Sequence, residues 1–166
     1  LILCRDSTHQ ARVREQLLDA GADRERLHFY QCLFDDTWTR DYGPLTLSGP
    51  EGPELADFFF NGWGGKHDAH RDNEVNRQLP WRVPLRTRSL VLEGGAVDTD
   101  GAGTLLTTRS CLHHPGRNPG LQGPELEARL RDFLGVHTII QLQHGLLEGD
   151  DTDGHVDTLA RFCGPA

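Results

Sequence analysis

The densest concentration of reactive side chains in this sequence is the run Gly149-Asp150-Asp151-Thr152-Asp153-Gly154-His155-Val156-Asp157. Read as a strand over residues 155–162, it puts His155, Asp157, Leu159 and Arg161 on one face and Val156, Thr158, Ala160 and Phe162 on the other. An imidazole and a carboxylate then project together away from the packing face, which suits a proton shuttle beside a cation-binding group. A polar edge strand carrying a solvated His and Asp fits the segment equally well. Calcium fits poorly: with Gly154 at the sixth position of an EF-hand loop, Gly149 stands where the first Asp belongs and Ala160 where the bidentate Glu belongs.

Other clusters are weaker when taken singly. Residues 35–44 pack acids and Trp38 between two strands, and alone they read as a turn whose Trp anchors the core. Glu93-Gly94-Gly95 closes the apolar run Leu90-Val91-Leu92, where two glycines permit close backbone approach; Glu93 reads equally as a site carboxylate or an exposed charge. Gly62-Trp63-Gly64-Gly65-Lys66 invites comparison with a phosphate loop, but Phe60 and His67 occupy the positions where Gly and Ser/Thr are required, leaving a tight turn after a buried strand. Cys111, His113 and His114 come nearest to a zinc set. Adjacent histidines seldom both reach one ion and no second pair completes a tetrahedron, so a surface loop is expected there.

A mixed α/β framework has to position these groups. Residues 1–4 read as a strand, 8–20 as a helix closed by Gly21, and 27–34 as a second strand. A strand at 45–47 ends in Ser48-Gly49-Pro50, 55–60 reads as a strand buried on both faces, and 72–79 as a short helix stopped by Pro80. Residues 89–92 and 103–107 flank Asp98-Thr99-Asp100-Gly101 as a hairpin and its return. Residues 124–134 carry Leu126, Leu130, Phe133 and Leu134 on one helical stripe, with Gly135 at the end, and 138–142 form a further strand. Strand–helix–strand–strand recurs without long linkers, which predicts a single mixed α/β domain with room for repeated units.

The chain has 166 residues, with 17 Lys+Arg against 25 Asp+Glu and a formal net charge of −8. No apolar run approaches the ~20 residues that a membrane-spanning helix needs. Nucleic acid is disfavoured because phosphates require clustered Lys/Arg, whereas a cationic partner matches the acidic field. Cys4, Cys32, Cys111 and Cys163 are dispersed and no basic-flanked leader precedes them, so a reducing, cytoplasmic setting is expected. There is no Met, and the sequence opens and closes on strand-like runs; it reads as part of a longer protein.

Taken in order, Trp38-Thr39-Arg40-Asp41-x-Gly43-Pro44, Asn61-Gly62-Trp63-Gly64-Gly65-Lys66, Leu92-Glu93-Gly94-Gly95, Arg117-Asn118-Pro119 and the run 149–157 resemble the agmatine deiminase / bacterial peptidylarginine deiminase family. The resemblance covers nearly the whole chain. It implies an α/β propeller of the pentein type, a ring of five ββαβ-type units about a central site. Residues 1–166 would form an incomplete ring, one partial deiminase domain lacking N- and C-terminal units.

Carried over by position, Asp41 and Asp157 resemble the two carboxylates that grip the substrate guanidinium. His155 resembles the general acid/base, Glu93 the carboxylate that orients histidine or substrate, and Trp38 a pocket wall. A guanidinium stays protonated with a pKa above ~12, so a desolvated one needs acids along its N–H edges. The resemblance implies no metal and no cofactor. The implied reaction is hydrolysis of agmatine to N-carbamoylputrescine and ammonia through a Cys thiouronium intermediate. Peptidyl or free arginine, an amidinotransferase relative, and a non-catalytic guanidinium-binding scaffold are the alternatives. The family's nucleophilic cysteine lies in a Gly-rich C-terminal segment that this chain does not reach. Cys163 is expected on the packing face or, failing that, ~20 Å along the strand from Asp157. Beyond a small cationic substrate, the sequence leaves room for a homo-oligomer.

Overall fold

The computed structural model describes residues 1–121 and 123–164. Strand β1 (Ile2–Cys4), helix α1 (Ser7–Asp19) and strand β2 (Phe29–Gln31) form a βαβ element with the two strands parallel. Helix α1 starts where extended Asp6 accepts the His9 N–H at 2.7 Å, and the chain leaves it through Gly21 at φ 85°. The short helix α2 (Thr39–Tyr42) leads to β3 (Leu45–Gly49) and β4 (Gly52–Phe59). Helices α3 (Gly62–Gly65) and α4 (His70–Gln78) then carry the chain to β5 (Leu85–Val91). The last sheet has β6 (Val97–Thr99) and β7 (Thr104–Thr108), then α5 (Arg109–Leu112), α6 (Gly123–Leu134) and β8 (Thr138–Leu142).

Both three-stranded sheets share one topology. In each, an antiparallel hairpin (β3–β4, β6–β7) is followed by helices and a strand parallel to the hairpin's second member (β5, β8). This is the ββαβ unit, present twice, and β1-α1-β2 is its βαβ portion. The repeat is written in backbone pairing rather than in residue identity, because a hairpin and a helical crossover tolerate many sequences once the apolar pattern is kept.

Two apolar clusters join successive units. Cys32, Phe34, Tyr42, Phe60, Trp63, Val75 and Leu79 lie between the first and second. Ala56, Phe58, Leu90, Leu92, Leu105, Leu126 and Leu130 join the second to the third, with the α6 stripe inserted as its spacing predicts. The segments that leave each unit are thereby brought together. Helix α2 touches the 3₁₀ turn Gly94–Ala96, which in turn touches the 3₁₀ turn Val156–Thr158.

Several local expectations change. The hairpin across Asp98–Gly101 pairs β6 with β7, with Val97 opposite Thr107, while residues 89–91 end β5 in the neighbouring sheet. No strand forms over 155–162. Gly154, at φ 89°, turns the chain, and the Thr158 hydroxyl donates to the His155 carbonyl at 2.8 Å, closing a 3₁₀ turn instead. Strict alternation therefore fails there, and Cys163 is exposed rather than packed. Cys111 lies in α5 and is buried, not in a surface loop, because the Thr108 hydroxyl caps that turn and points it inward. Trp38 does not anchor the core. It is 62% exposed, whereas Trp63 is buried in the apolar cluster between the first two units.

Candidate active site

Each of the three unit exits contributes site residues. Asp41 lies in α2, Glu93 directly precedes the turn Gly94–Ala96, and His155 directly precedes the turn that contains Asp157. They meet around Gly95. A Cβ placed there would lie 2.5 Å from His155 Nδ1, 2.7 Å from Asp41 Oδ1 and 2.9 Å from Asp157 Oδ2, so only hydrogen fits. The backbone at Gly94 similarly abuts the Arg40 carbonyl. The double glycine is thus required for space, since neither residue adopts a left-handed conformation.

The two carboxylates nearest the imidazole are held differently. Asp41 Oδ1 accepts the Gly95 N–H at 3.0 Å and Oδ2 accepts the Trp63 indole N–H at 3.1 Å. Glu93, fully buried, accepts the Arg117 Nε–H at 2.9 and 2.8 Å and lies 3.1 Å from His155 Nε2. His155 Nδ1 lies 3.6 Å from Asp41 Oδ1. Burial raises the Asp41 pKa above the usual carboxylate range despite the opposing effects of His155 and the two donors. Burial also pushes Glu93 upward, but the hydrogen bond to His155 and the Arg117 charge outweigh it and hold the group below its ordinary value.

These groups open onto a cleft of about 560 Å³. Asp41, Asp157, Asp36, Asp150 and Asp151 line it, together with Trp38 and the His155 ring. Arg40 also reaches the wall, but its guanidinium donates to the Val97 carbonyl at 3.1 Å. The cleft therefore presents an acidic surface that suits a cation, with the imidazole of His155 among its lining groups.

Glu93, Cys111 and His155 offer ligand atoms within 4.8 Å of one another. A metal there would have to displace the Arg117 guanidinium from Glu93 and deprotonate a thiol whose pKa burial raises strongly. The observed contacts satisfy these side chains without an ion: the Cys111 thiol points at Glu93 Oε2 at 3.7 Å.

Comparison with known proteins gives this site a family. The model of the Porphyromonas-type peptidyl-arginine deiminases matches residues 1–166. The chain belongs to that family. It is 43% identical over 162 residues to the agmatine deiminase of Stutzerimonas stutzeri (strain A1501), covering 91% of this chain and 44% of that protein. The agmatine deiminase of Pseudomonas aeruginosa (strain LESB58) is 42% identical over 155 residues, covering 88% and 42%. Among solved structures, a cysteine-to-serine variant of the C. jejuni agmatine deiminase with substrate bound superposes with a TM-score of 0.88 at 33% identity, covering 98% of this chain and 47% of that one. The Enterococcus faecalis agmatine deiminase gives 0.79 at 32% identity, covering 90% and 43%. The chain thus spans less than half the length of the relatives it matches, and it shares the mixed α/β, pentein-type fold of these deiminases.

Of the deiminase-family positions read from the sequence, Asp41, Glu93, His155 and Asp157 converge, and Trp38 stands at the rim of the same cleft. Sequence reasoning assigned no role to Trp63, Arg117, Asp36, Asp150 or Asp151. Arg117-Asn118-Pro119 was visible as a motif, and contacts now give it a structural sense. Asn118 exchanges two hydrogen bonds with Val91, at 3.0 and 2.9 Å, clamping the end of β5, while Arg117 takes Glu93 two residues on.

Proposed function

We propose that this chain supplies the guanidinium-binding and proton-transfer part of a deiminase that hydrolyses agmatine to N-carbamoylputrescine and ammonia. The observation that carries this reading is the meeting of Asp41, Asp157 and His155 at one glycine, at the floor of a cleft lined by five aspartates. Asp41 and Asp157 take the N–H edges of the guanidinium. Each pair at ~4 Å and an effective dielectric of ~20 gains about 4 kcal/mol before desolvation, enough to hold the central carbon for attack. Trp38 closes over the planar group at the rim.

In the intact protein a cysteine thiolate attacks that carbon. His155, backed by Glu93, gives a proton to the departing amine, and ammonia leaves a thiouronium intermediate. His155 then takes a proton from water as its oxygen attacks the same carbon. The C–S bond breaks, releasing the ureido product and the thiolate. None of the chain's own cysteines suits the first step: Cys4, Cys32 and Cys111 are buried with raised thiol pKa values, and Cys163 does not line the cleft. The nucleophile is therefore assigned to the remainder of the intact enzyme, which makes residues 1–166 a partial deiminase domain and inactive alone.

Agmatine ends in a primary ammonium, arginine in a zwitterion. Asp36, Asp150 and Asp151 on the cleft wall attract the former and repel an α-carboxylate, which favours agmatine over free arginine. Ammonia release by the intact protein offered agmatine, arginine and an arginine peptide tests this. The largest kcat/KM is expected for agmatine. A preference for either arginine form would overturn the substrate assignment, and binding without release of ammonia would make the protein a guanidinium-binding scaffold.

A further inference from the structure

Arg117 does not line the cleft, yet it is 4% exposed and spends its guanidinium on three separate groups. Its Nε–H reaches both Glu93 oxygens, Nη1 donates to Asp153 Oδ2 at 2.8 Å and Nη2 to the Thr152 carbonyl at 2.9 Å. Glu93 in turn faces His155 Nε2, while Thr152 and Asp153 belong to the acidic loop that forms one wall of the cleft and runs directly into His155. The imidazole is thus approached from two sides by groups that one side chain holds.

The loop needs holding. Gly149, Asp153 and Gly154 all take positive φ, of 85°, 66° and 89°. Asp153 is the one residue of the three with a side chain to oppose that conformation, and its carboxylate is the one that Arg117 and Lys66 both grip. Inside the loop, Asp150 accepts the Thr152 and Gly154 N–H groups, and the Thr152 hydroxyl accepts the His155 N–H at 3.1 Å. A shift of Thr152 is therefore passed on to the backbone of His155.

We propose that Arg117 is the positioning residue of this site, fixing the His155 ring through Glu93 and the His155 backbone through the acidic loop. Its planar fork is what allows one cation to serve a carboxylate on one side and a loop on the other, which a lysine cannot reproduce. With Glu93 held as an acceptor, the Nε2–H of His155 is committed to it, and Nδ1 is left facing Asp41 and the cleft, where proton transfer is needed. Lys66 secures only the loop. It donates to the Asp151 carbonyl at 2.6 Å and Asp153 Oδ1 at 2.7 Å and does not reach Glu93.

The kinetic part of the test rests on the agmatine reading above, so a second readout is independent of turnover. In the intact enzyme, Arg117→Gln is expected to lower kcat for agmatine by about 10²-fold with KM nearly unchanged, because the proton donor is misplaced while the gripping carboxylates stay. Lys66→Ala should instead raise KM with little change in kcat. Independently, ¹⁵N NMR of the His155 ring should show a protonated, hydrogen-bonded Nε2 in the wild type and in Lys66→Ala, and averaging of the two ring nitrogens in Arg117→Gln. If Arg117→Gln does not fold, Arg117→Lys, which keeps the charge without the fork, should fold and lose kcat by about tenfold. Unchanged ring signals together with unchanged kcat in the folded Arg117 variant, with only thermal stability lowered, would overturn the positioning role. Absence of agmatine turnover in the wild type with the NMR pattern intact would instead fault the substrate assignment and leave Arg117's role standing.

Discussion

Asp41 and Glu93 stand on either side of one imidazole, arrive from equivalent exits of successive units, and are both almost fully buried. Their partners differ in kind. Asp41 receives two neutral donors, an indole and a backbone amide, whereas Glu93 receives a guanidinium and the imidazole. The His155 ring, 3.6 Å away, and the two neutral donors together do not offset the burial of its charge, so Asp41 remains a carboxylate short of a cation, and it faces the cleft. Glu93 already has its cation and lies behind the ring. On the proposed reading the two acids divide the work: one is kept unsatisfied for the substrate, the other is saturated so that it can hold the histidine.

The contrast fails most completely if the space that Asp41 shares with His155 and Asp157 at Gly95 is filled. Gly95→Ala should displace His155, Asp41 and Asp157 together and reduce kcat/KM of the intact enzyme by at least about 10²-fold, measured as ammonia release. Activity within a fewfold of wild type would mean the three groups are not packed against this glycine.

Stability separates the pair next. Glu93→Gln takes from the buried Arg117 guanidinium the fully buried one of its two carboxylates, leaving only the partly exposed Asp153, and should cost about 3–5 kcal/mol in denaturant unfolding. Asp41→Asn removes an ionised group that burial disfavours while keeping an oxygen for Trp63 or Gly95, so its cost should stay within about 1 kcal/mol, or the change should stabilise. Equal losses would abolish the distinction.

How much of this was legible beforehand follows from the kind of information each feature needs. Helix α6 was plain because Leu126 and Leu130 meet one apolar surface at helical spacing and Gly135 ends the helix. The four converging residues were found through ordered motifs; no local pattern shows that positions 41, 93 and 155 meet. The segment after His155 alternates as a strand would, but Gly154 and the Thr158 hydroxyl impose a tight turn that alternation does not reveal. The roles of Trp63 and Arg117 depend on contacts 22 and 24 residues away in sequence, which composition and spacing do not encode.

A smaller effect sharpens the comparison through pH. The lowered Glu93 pKa means that its contribution to stability is present above the ordinary glutamate value and is lost as pH falls through the native one. Asp41 has the opposite sign: its native state holds the proton more tightly, so its contribution is present at low pH and is lost as pH rises through its raised value. Since a protonated Asp41 cannot grip a guanidinium, agmatine binding measured by calorimetry should begin to weaken on acidification at a pH above the ~3.9 of an ordinary aspartate. Binding that holds constant down to that value would place Asp41 outside the cation site.

The most direct measurement is steady-state ammonia release by the intact enzyme carrying Asp41→Asn or Glu93→Gln, with agmatine titrated across the same range for both. Loss of a group that grips the substrate cation should raise KM for Asp41→Asn and lower kcat/KM further still. Loss of a group that only orients His155 should lower kcat for Glu93→Gln with KM close to the wild-type value. An unchanged KM in Asp41→Asn, or a KM rise confined to Glu93→Gln, would contradict the division of labour between the two acids.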